Sequence, residues 1–481
     1  MRSIDEVFTQ HAHWIDGRWS SSSGGLFAVE NPASQEAIGH VPAGNAEDVD
    51  RAVHAAHRAL PGWRDTTIEN RLALLDRLCD VLDDDRDMMA QIITAEVGAP
   101  VALAGPAHVG LTTEILRAFV KLGREFEFVS STGASTLVYE PIGVAGCITP
   151  WNLPLILIAQ KLGAALVTGC TTVFKPSELT PLSALRLAEC MSEAGYPPGV
   201  FNVVTGDGPA AGEPLVSHPL VSKVSFTGST RAGQRVAALA AQTVKRVSLE
   251  LGGKSANLVL PDGDLEAAVT TGSHQACFNA GQSCIAWSRL LVPTERLAEA
   301  TELAATALGG MRVGDPADPT TDVGPLISAA AADRVRGYIA KGVEQGARVA
   351  VGGTDRPDGL PRGHFVRPTV LTDVRPDMTV AQEEIFGPVL CVIPYRDEAE
   401  AVAIANGTPY GLHGAVWSRD EERAMAVARR IETGMINING YGFDPLAPFG
   451  GYKHSGVGRE MGTAGLHEFL EVKAVQRFGP S

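Results

Sequence analysis

The chain has 481 residues, enough for roughly two or three domains with ample cores. Its 45% hydrophobic and 20% charged content is typical of a globular enzyme, and its net charge of −15 argues against nucleic acid or an anionic membrane surface as a partner. The seven cysteines are odd in number and include no Cys-x-x-Cys pair. We therefore expect reduced thiols in the cytoplasm, without a disulfide framework or a zinc site.

The N-terminal part of the chain is predicted to be helical. Asn45 is expected to cap an Ala-rich helix that ends near Pro61-Gly62, and leucines at helical spacing predict a longer amphipathic region over 66–97. The sequence starts at Met1 without an apolar signal core, so export is not expected. The most apolar region, 142–174, is interrupted by prolines and polar residues, which argues against a membrane span.

From residue 143 onward, short β-branched strands alternate with helices. The predicted strands are 143–148, 171–174, 201–204, 221–226 and 246–249, and the predicted helices are 155–166, 181–193 and 230–242. This alternation implies βαβ crossovers and a parallel sheet, whose ligands bind beyond the carboxyl ends of the strands. The motifs around Asn152, Lys175, Ser229 and Glu250 each follow a predicted strand. Their placement favours a dinucleotide site at that edge.

A second α/β block is predicted over 256–439. Its candidate strands are 290–292, 369–371, 389–393, 414–417 and 435–438. The segments 123–140 and 468–478 alternate like exposed strands and fit neither block. The fold class that follows is α/β, with two sheet-based domains and a small additional β element.

Two segments carry the strongest evidence for catalysis. Cys284 directly follows Gly-Gln-Ser, and Glu250 lies 34 residues upstream between two leucines. A thiol that attacks a carbonyl needs a charge or a base to form its thiolate, and the resulting acyl-enzyme needs a base to activate water. A carboxylate in apolar surroundings can be such a base near neutral pH. From residue type alone, an inert core thiol and a cap or salt-bridge carboxylate remain the alternatives.

In this order and spacing, the two segments closely resemble the active-site signatures of the NAD(P)-dependent aldehyde dehydrogenase superfamily, of the hydrolytic, non-acylating type. The resemblance extends along nearly the whole chain. It implies a Rossmann-like parallel-sheet NAD-binding domain, an α/β catalytic domain and a small β oligomerisation element that pairs with another subunit in a homodimer or homotetramer. Their expected ranges are 1–122 with 141–250, 251–455, and 123–140 with 456–481, respectively.

The resemblance also implies the reaction, an NAD-dependent oxidation of an aldehyde to a carboxylic acid. Cys284 would form a thiohemiacetal and then a thioester, which water activated by Glu250 would hydrolyse. Asn152, in Pro150-Trp-Asn-Leu-Pro154, would stabilise the oxyanion together with the Cys284 backbone N–H. From residue type alone, Asn152 is an ordinary turn asparagine.

Candidate cofactor residues follow the predicted strands. Lys175 and Glu178 can reach an adenosine ribose, where the carboxylate would repel a 2′-phosphate and favour NAD over NADP. Gly228 and Ser229 open a helix whose N-terminal amides can hold a pyrophosphate, although the full G-x-G-x-x-G fingerprint is absent. By resemblance, Glu384 would hold the nicotinamide ribose and Phe386 would pack beside the ring. The remaining cofactor contacts expected from the resemblance are Trp151 and Leu251.

The substrate tunnel is also expected from the resemblance. The positions that would line it are Leu153, Leu157, Phe278, Ile285, Phe443 and Phe449. These residues are apolar, and no arginine among them could pair with a substrate carboxylate. We therefore expect medium-chain, aromatic or terpenoid-like aldehydes rather than succinic semialdehyde. The twelve histidines are scattered without metal-ligand spacing, so no metal site is expected.

Three alternative functions stay open at this point. A CoA-acylating semialdehyde dehydrogenase would pass the acyl group to CoA instead of water. A non-redox cysteine hydrolase would need a histidine beside the nucleophile, and His274, the only candidate nearby in sequence, lies in no known motif. A catalytically silent binding protein is disfavoured because every expected catalytic position is filled.

Overall fold

The structure is a computed structural model that describes residues 12–440 and 442–476. Two large sheets, of eight and seven strands, dominate these ranges, and helices cover them. Most neighbouring strands in both sheets are parallel. The predicted α/β fold class is therefore confirmed.

The first sheet contains all five strands predicted between residues 143 and 249. Its order across the sheet is Gly456–Val457, Arg246–Glu250, Val221–Thr227, Val144–Ile148, Thr171–Lys175, Phe201–Val203, His13–Ile15 and Arg18–Ser20. The direction in which successive strands are added reverses between Val144–Ile148 and Val221–Thr227. At such a switch point the segments that leave the two strands diverge and open a crevice. The residues that follow these two strands therefore face a common cleft.

Three short strands at the edges of this sheet were outside the sequence prediction. His13–Ile15 and Arg18–Ser20 form a hairpin at one edge, and Gly456–Val457 pairs antiparallel with Arg246–Glu250 at the other. Strands of two or three residues are too short to show a periodic pattern. Gly456–Val457 lies in the range predicted for oligomerisation but extends the first sheet. The domain boundaries themselves stay a prediction.

The second sheet contains the strands predicted between residues 290 and 438. Its order is Arg348–Val351, Thr369–Thr372, Val389–Tyr395, Arg289–Pro293, Ala256–Val259, Gly414–Trp417 and Asn437–Ile438. Neighbours are parallel except at Arg348–Val351, which pairs antiparallel with Thr369–Thr372. Helices on both faces bury the central strands completely.

The two segments predicted to be exposed strands pair with each other. Val129–Thr132, Ser135–Pro141 and Leu470–Gln476 form an antiparallel three-stranded sheet. The predicted range 123–140 begins too early, because helix Leu111–Glu125 continues into it. Residues 477 and 478 of the predicted tail strand lie outside the described residues. Pairing of this sheet with another subunit stays a prediction. A further hairpin joins Leu26–Asn31 to Glu36–Pro42.

The N-terminal helices differ from the prediction at Pro61. Ala46–Arg64 is capped by Asn45 as predicted, but it continues past Pro61, because the Asp65 N–H donates to the Pro61 carbonyl at 3.1 Å. The region 66–97 is helical as predicted and consists of two helices, Ile68–Asp84 and Arg86–Val97. Asp85 divides them, and Arg186 holds its carboxylate through two hydrogen bonds of 2.8 and 2.6 Å. This contact spans 101 residues, so no local pattern could predict it.

The other helices connect the strands and cover the sheets. They are Val101–Leu103, the π-helical Ala104–Gly110, Leu111–Glu125, Pro154–Thr168, Leu182–Glu193, the π-helical Gly208–Gly212, Glu213–Ser217, Thr230–Ala241, Leu265–Cys277, Thr294–Arg296, Leu297–Gly309, Ala329–Glu344, Thr379–Gln382, Glu398–Asn406, Glu421–Ala428, Lys453–Ser455 and Gly462–His467. Across the described ranges, none of these helices combines the length and the apolar character needed to cross a bilayer.

Candidate active site

A cleft of about 600 Å³ opens at the switch point of the first sheet. The predicted site residues that line it are Trp151, Asn152, Leu157, Gly228, Ser229, Leu251, Cys284, Glu384 and Phe386. The first sheet contributes the segments after Val144–Ile148, Val221–Thr227 and Arg246–Glu250, and the second α/β block contributes the rest. Residues distant in sequence are thus brought together where the parallel-sheet geometry predicts a ligand site.

A strained turn carries Cys284 into the cleft. Helix Leu265–Cys277 ends just before it, and Asn279 and Ala280 then adopt φ angles of 51° and 57°, followed by Gly281 at 72°. Side chains other than glycine rarely occupy this left-handed region. A methyl group on Gly281 would lie 2.2 Å from the Gly387 carbonyl group. The conformation of the turn and its contact with the neighbouring loop therefore both require glycine at this position.

Reciprocal amide hydrogen bonds fix this turn against the loop that carries Asn152. The Asn279 side chain donates to the Asn152 carbonyl, and the Asn152 side chain donates to the Gln282 carbonyl, both at 2.9 Å. The Asn152 amide nitrogen has a second hydrogen, and Asn152 lines the cleft beside Cys284. The geometry thus leaves one N–H available to a ligand oxygen.

Cys284 differs from the other cysteines in its exposure. All seven lie in the described residues and are free; six are buried, and Cys284 is partly exposed. Burial raises the pKa of the Cys284 thiol well above its ordinary value, and the nearby Glu384 and Glu250 raise it further. Thiolate formation in this state is therefore unfavourable. A base or a cation in the cleft would be needed to activate the thiol.

Glu250 lies at the end of its strand and is buried behind the cleft wall. Its side chain is 1% exposed, and neither carboxyl oxygen has a hydrogen-bond partner among the residues that the structure describes. A methyl group on Gly450 would lie 2.7 Å from Glu250 Oε1, so glycine makes room for the carboxyl group. Burial raises the pKa of Glu250 well above its ordinary value, and the neighbouring Glu460 raises it further. This is the environment predicted for a base that acts near neutral pH.

A buried polar network adjoins Glu250. The Lys161 ammonium donates to Thr227 Oγ1 at 2.6 Å and forms an ion pair with Glu460. Ser225 Oγ also donates to Glu460, at 3.1 Å. The sequence analysis missed this network. The only local signal was a lysine within the apolar helix Pro154–Thr168, and its partner lies 299 residues away.

The N-terminus of helix Thr230–Ala241 lies at the cleft. Ser229 caps the helix by accepting the Ala232 N–H at 3.3 Å, and the Gly228 N–H donates to the Glu250 carbonyl at 3.0 Å. Both residues line the cleft. A helix N-terminus at this point is a site for a phosphate group.

Glu384, Phe386 and Trp151 also line the cleft. Glu384 Oε1 accepts the Gly253 N–H at 2.9 Å, and a methyl group on Gly252 would lie 2.5 Å from Glu384 Oε2. The Trp151 and Phe386 rings meet edge to face with centroids 5.5 Å apart. Burial raises the pKa of Glu384. A carboxylate, two rings and a helix N-terminus around one cleft fit the ribose, the base and the phosphates of a dinucleotide.

Lys175 and Glu178 lie beside this cleft, and neither is among the residues that line it. The buried Lys175 ammonium donates to the Pro176 and Gly206 carbonyls, each at 2.8 Å, and lies 3.8 Å from Glu178 Oε2. Burial lowers the pKa of Lys175. The Glu178 side chain is 40% exposed. Contacts of this pair with a ribose stay a prediction.

The six predicted tunnel residues belong to one apolar cluster. Leu153, Leu157 and Phe449 are buried in it, and Phe278, Ile285 and Phe443 pack against it half-buried, together with Cys284. The Phe443 and Phe449 rings lie 6.3 Å apart, and Leu157 lines the cleft itself. Their role in substrate binding stays a prediction.

Two further residues position the cleft and were missed. Ser455 Oγ donates to the Gly252 carbonyl at 2.6 Å, and the Ser455 carbonyl accepts the Leu251 N–H at 2.9 Å. Arg334 lines the cleft and donates to the Glu384 carbonyl at 2.5 Å. Ser455 lies within a glycine-rich stretch, Pro448 to Gly456, which was the only signal available for it. Arg334 has no distinguishing sequence context.

Two histidines and an aspartate that show no metal-ligand spacing in the sequence lie close together in the structure. Asp50, His54 and His218 lie on the surface with their ligand atoms within 4.8 Å of one another. The Leu220 N–H donates to His218 Nδ1, which places the proton of a neutral ring on Nε2, opposite Asp50 Oδ1 at 3.2 Å. Ordinary hydrogen bonds thus account for the group, which lies outside the cleft.

Comparison with known proteins identifies the family. The model of the aldehyde dehydrogenase family matches residues 19–475. A Pseudomonas protein named 3-succinoylsemialdehyde-pyridine dehydrogenase is 50% identical over 97% of this chain and 98% of its own length. A putative aldehyde dehydrogenase of Staphylococcus aureus is 45% identical over 96% of this chain and 98% of its own length.

Solved structures agree with this result. Aldehyde dehydrogenase C of Pseudomonas syringae, a cysteine-to-alanine mutant in complex with NAD+ and octanal, matches with a TM-score of 0.97 at 46% identity, over 98% of each chain. Betaine aldehyde dehydrogenase of Staphylococcus aureus in complex with NAD+ matches with a TM-score of 0.94 at 36% identity, over 98% of this chain and 96% of that one. The resemblance inferred from the sequence is confirmed. The chain belongs to the aldehyde dehydrogenase family.

Proposed function

We propose that Cys284, Asn152 and Glu250 carry out the NAD-dependent oxidation of an aldehyde to a carboxylic acid in this enzyme. The chain is an aldehyde dehydrogenase by family, and NAD is its cofactor, since several solved neighbours were crystallised with NAD+. The family assignment supports this reaction over a non-redox cysteine hydrolase or a silent binding protein. The division of labour among the three residues is our proposal.

The first chemical step is assigned to Cys284. Its sulfur adds to the aldehyde carbon, and the thiol proton leaves to a base or to water. The oxygen then carries negative charge and accepts the free N–H of Asn152 together with the Cys284 backbone N–H. NAD, when bound, supplies the acceptor for the hydride that leaves the former aldehyde carbon. A thioester on Cys284 remains.

The second step is assigned to Glu250. A water molecule attacks the thioester carbon, Glu250 takes a proton from that water, and the Cys284 thiolate leaves as the carboxylic acid forms. The Glu250 carboxyl group lies behind the cleft wall, so its side chain must rotate toward Cys284 to act. The absence of any hydrogen-bond partner on its two oxygens supports such a rotation, because no bond has to be broken.

The cofactor region supports a specific set of NAD contacts. The helix that begins after Ser229 would hold the pyrophosphate, and Gly228 would admit it closely. Glu384 would accept hydrogen bonds from the nicotinamide ribose, with Phe386 and Trp151 beside the ring. The apolar face of Leu251 lines the same cleft. Lys175 and Glu178 would lie near the adenosine ribose.

The single observation that supports the hydrolytic course is the buried Glu250 carboxyl group, which has no hydrogen-bond partner within the described residues and raises the pKa of the Cys284 thiol. The test is to follow NADH absorbance and identify the product for the native enzyme and for Cys284→Ala. We expect NADH and the free acid from the native enzyme without CoA, and neither from the variant. Turnover that requires CoA and yields acyl-CoA would favour the acylating alternative and overturn the role of Glu250.

We further propose that the substrate is a medium-chain, aromatic or terpenoid-like aldehyde. The six positions expected to line the tunnel are apolar, and none of them is an arginine that could pair with a substrate carboxylate. The Pseudomonas relative is named for a pyridine semialdehyde, and the solved Pseudomonas syringae neighbour holds octanal. A panel of aldehydes ranked by kcat/KM tests this. A much higher value for succinic semialdehyde than for hexanal or benzaldehyde would contradict it.

Assembly and location are also proposals. A homodimer or homotetramer is supported by the three-stranded sheet, where Val129, Val472 and Val475 are exposed. Sedimentation at micromolar concentration should give two or four chains per particle, and a monomer would contradict the proposal. Cytoplasmic residence is supported by seven free cysteines. We propose that the enzyme binds neither nucleic acid nor a membrane surface, and its net charge of −15 supports this.

A further inference from the structure

His108 is a buried histidine that the reaction proposed above does not use. It lies in the π-helical segment Ala104–Gly110, and its side chain is 0% exposed. π-Helical turns are rare and are frequently found at functional sites. The Thr112 hydroxyl donates to the His108 carbonyl at 2.7 Å, which accounts for one backbone group of this turn. This hydrogen bond does not explain why an imidazole side chain is buried at this position.

Within the part of the chain that the structure describes, neither ring nitrogen of His108 has a hydrogen-bond partner. Buried polar side chains are nearly always paired in native proteins, so an unpaired one calls for a missing partner. Burial lowers the pKa of His108 to about 4, and the ring is therefore neutral at physiological pH. A neutral imidazole offers one N–H donor and one nitrogen acceptor.

The position of His108 places this ring at the predicted substrate tunnel. It stacks on Phe278 with ring centroids 6.3 Å apart and planes inclined by 20°. The segment that carries it packs against helix Pro154–Thr168, on which Leu157 lines the cleft beside Cys284. Because the Phe278 contact is a stacked one, it involves the face of the imidazole and does not pair the nitrogens on the ring edge.

Gln160 supplies a second, independent observation. It follows Leu157 by three residues on the same helix, so the two side chains lie on one face. The Gln160 side chain is buried, its Nε2 contacts the Met461 sulfur at 3.4 Å, and its Oε1 has no partner within the described residues. The segment Ala104–Gly110 and helix Pro154–Thr168 thus each carry a buried side chain with an unpaired polar atom.

We propose that His108, with Gln160 as a second polar contact, selects aldehydes that carry an uncharged hydrogen-bond acceptor away from the aldehyde carbon. The His108 N–H would donate to this acceptor, a keto oxygen or a ring nitrogen. A neutral imidazole provides no charge to bind a carboxylate, so the selection is for an uncharged group. The inference rests on the proposed function, since it assigns specificity within the same site.

The test uses two pairs of aldehydes that differ only in the acceptor. These are 4-oxo-4-phenylbutanal against 4-phenylbutanal, and 4-(pyridin-3-yl)butanal against 4-phenylbutanal. We expect the native enzyme to favour at least one acceptor-bearing aldehyde by about 10- to 100-fold in kcat/KM, because an analogue that lacks the acceptor leaves the buried N–H unpaired.

Variants assign this preference to the imidazole. His108→Phe keeps an aromatic ring against Phe278 and removes both nitrogens, so it should abolish the preference for the acceptor-bearing aldehydes over 4-phenylbutanal. His274→Phe is the matched control, since it removes an exposed imidazole one helical turn before Phe278, and it should keep the preference. If His108→Phe does not fold, as judged by thermal melting, Gln160→Leu serves as the second variant and should reduce the preference.

The outcomes separate this inference from the proposed function. Two results would overturn the inference alone. One is that the native enzyme oxidises all three aldehydes without a preference; the other is that folded His108→Phe, or Gln160→Leu in its place, retains the native preference. If the native enzyme oxidises neither these three aldehydes nor any aldehyde of the wider panel, the proposed function is overturned and this inference with it.

Discussion

The residues proposed for catalysis and those proposed for cofactor binding differ in how their charged groups are paired. On the side proposed for catalysis, the catalytic side, Glu250 is buried with both carboxyl oxygens unpaired within the described residues, and the pKa values of both Glu250 and Cys284 are raised. On the side proposed for the cofactor, the cofactor side, Glu384 accepts a backbone N–H and Ser229 caps a helix, and Lys175, which lies outside the cleft lining, donates to two carbonyls. Unpaired groups are free to change partners and protonation, whereas paired groups hold a fixed geometry. Substitutions on the two sides should therefore affect different kinetic constants.

The largest effect is expected on the catalytic side, at the nucleophile. Cys284→Ala should lower kcat by at least about 10⁴-fold, because no other group can form the covalent intermediate. Steady-state NADH production measures this. Cys277→Ala is the matched control; it removes a buried thiol seven residues earlier and should cost stability more than activity. Comparable loss of activity in both variants, with native-like melting, would contradict the assignment.

Glu250→Gln should give the next largest effect. Loss of the base should slow deacylation by roughly 10²- to 10⁴-fold. A pre-steady-state burst of NADH should persist, because attack by Cys284 and hydride transfer precede the slow step. A weakened burst would mean that Glu250 also activates Cys284 and would revise its role. Unchanged steady-state turnover in Glu250→Gln would show that Glu250 is not the base for deacylation.

The pH dependence of deacylation tests the same carboxyl group without replacing it. The pKa of Glu250 is raised, so the group is increasingly protonated as the pH falls below that pKa, and a protonated carboxyl cannot act as a base. The deacylation rate should therefore rise about tenfold per pH unit below the pKa and level off above it. Rapid-quench measurements of thioester decay should show this rise in the native enzyme and lose it in Glu250→Gln. A flat native profile would contradict the role of Glu250.

Glu384→Gln should produce a smaller effect of a different kind. The amide oxygen can still accept the Gly253 N–H, so the loop geometry should survive, but the charge available to a ribose hydroxyl is lost. We expect KM for NAD to rise roughly tenfold, as for loss of a hydrogen bond to a charged group, with kcat within about threefold. A drop in kcat as large as that of Glu250→Gln would place Glu384 on the catalytic side of the comparison.

The sequence could predict the site where its geometry follows from local order. Asn152, Ser229 and Glu250 each follow a buried strand, and the carboxyl ends of parallel strands meet at one edge, so their proximity was predictable. The sequence could not predict contacts between distant elements. Glu460 pairs with Lys161 across 299 residues, and Arg334 approaches Glu384 from a helix without a distinctive pattern. Such contacts depend on how the two sheets pack together, which no local periodicity encodes.

The smallest effect is expected at Glu178, at the outer end of the cofactor side. Its carboxylate should repel the 2′-phosphate of NADP, and Glu178→Gln should reduce the preference for NAD over NADP. Because the side chain is 40% exposed, water and salt screen the repulsion, and we expect a change of only about 1 kcal/mol, or about fivefold in the ratio of kcat/KM values. Raising the ionic strength should reduce the same preference in the native enzyme and leave the variant nearly unaffected.

Glu471→Gln is the matched control, because Glu471 is a half-exposed carboxylate in the three-stranded sheet. It should change neither the preference for NAD over NADP nor the dependence of that preference on ionic strength. Equal use of NAD and NADP by the native enzyme would show that Glu178 does not face the ribose.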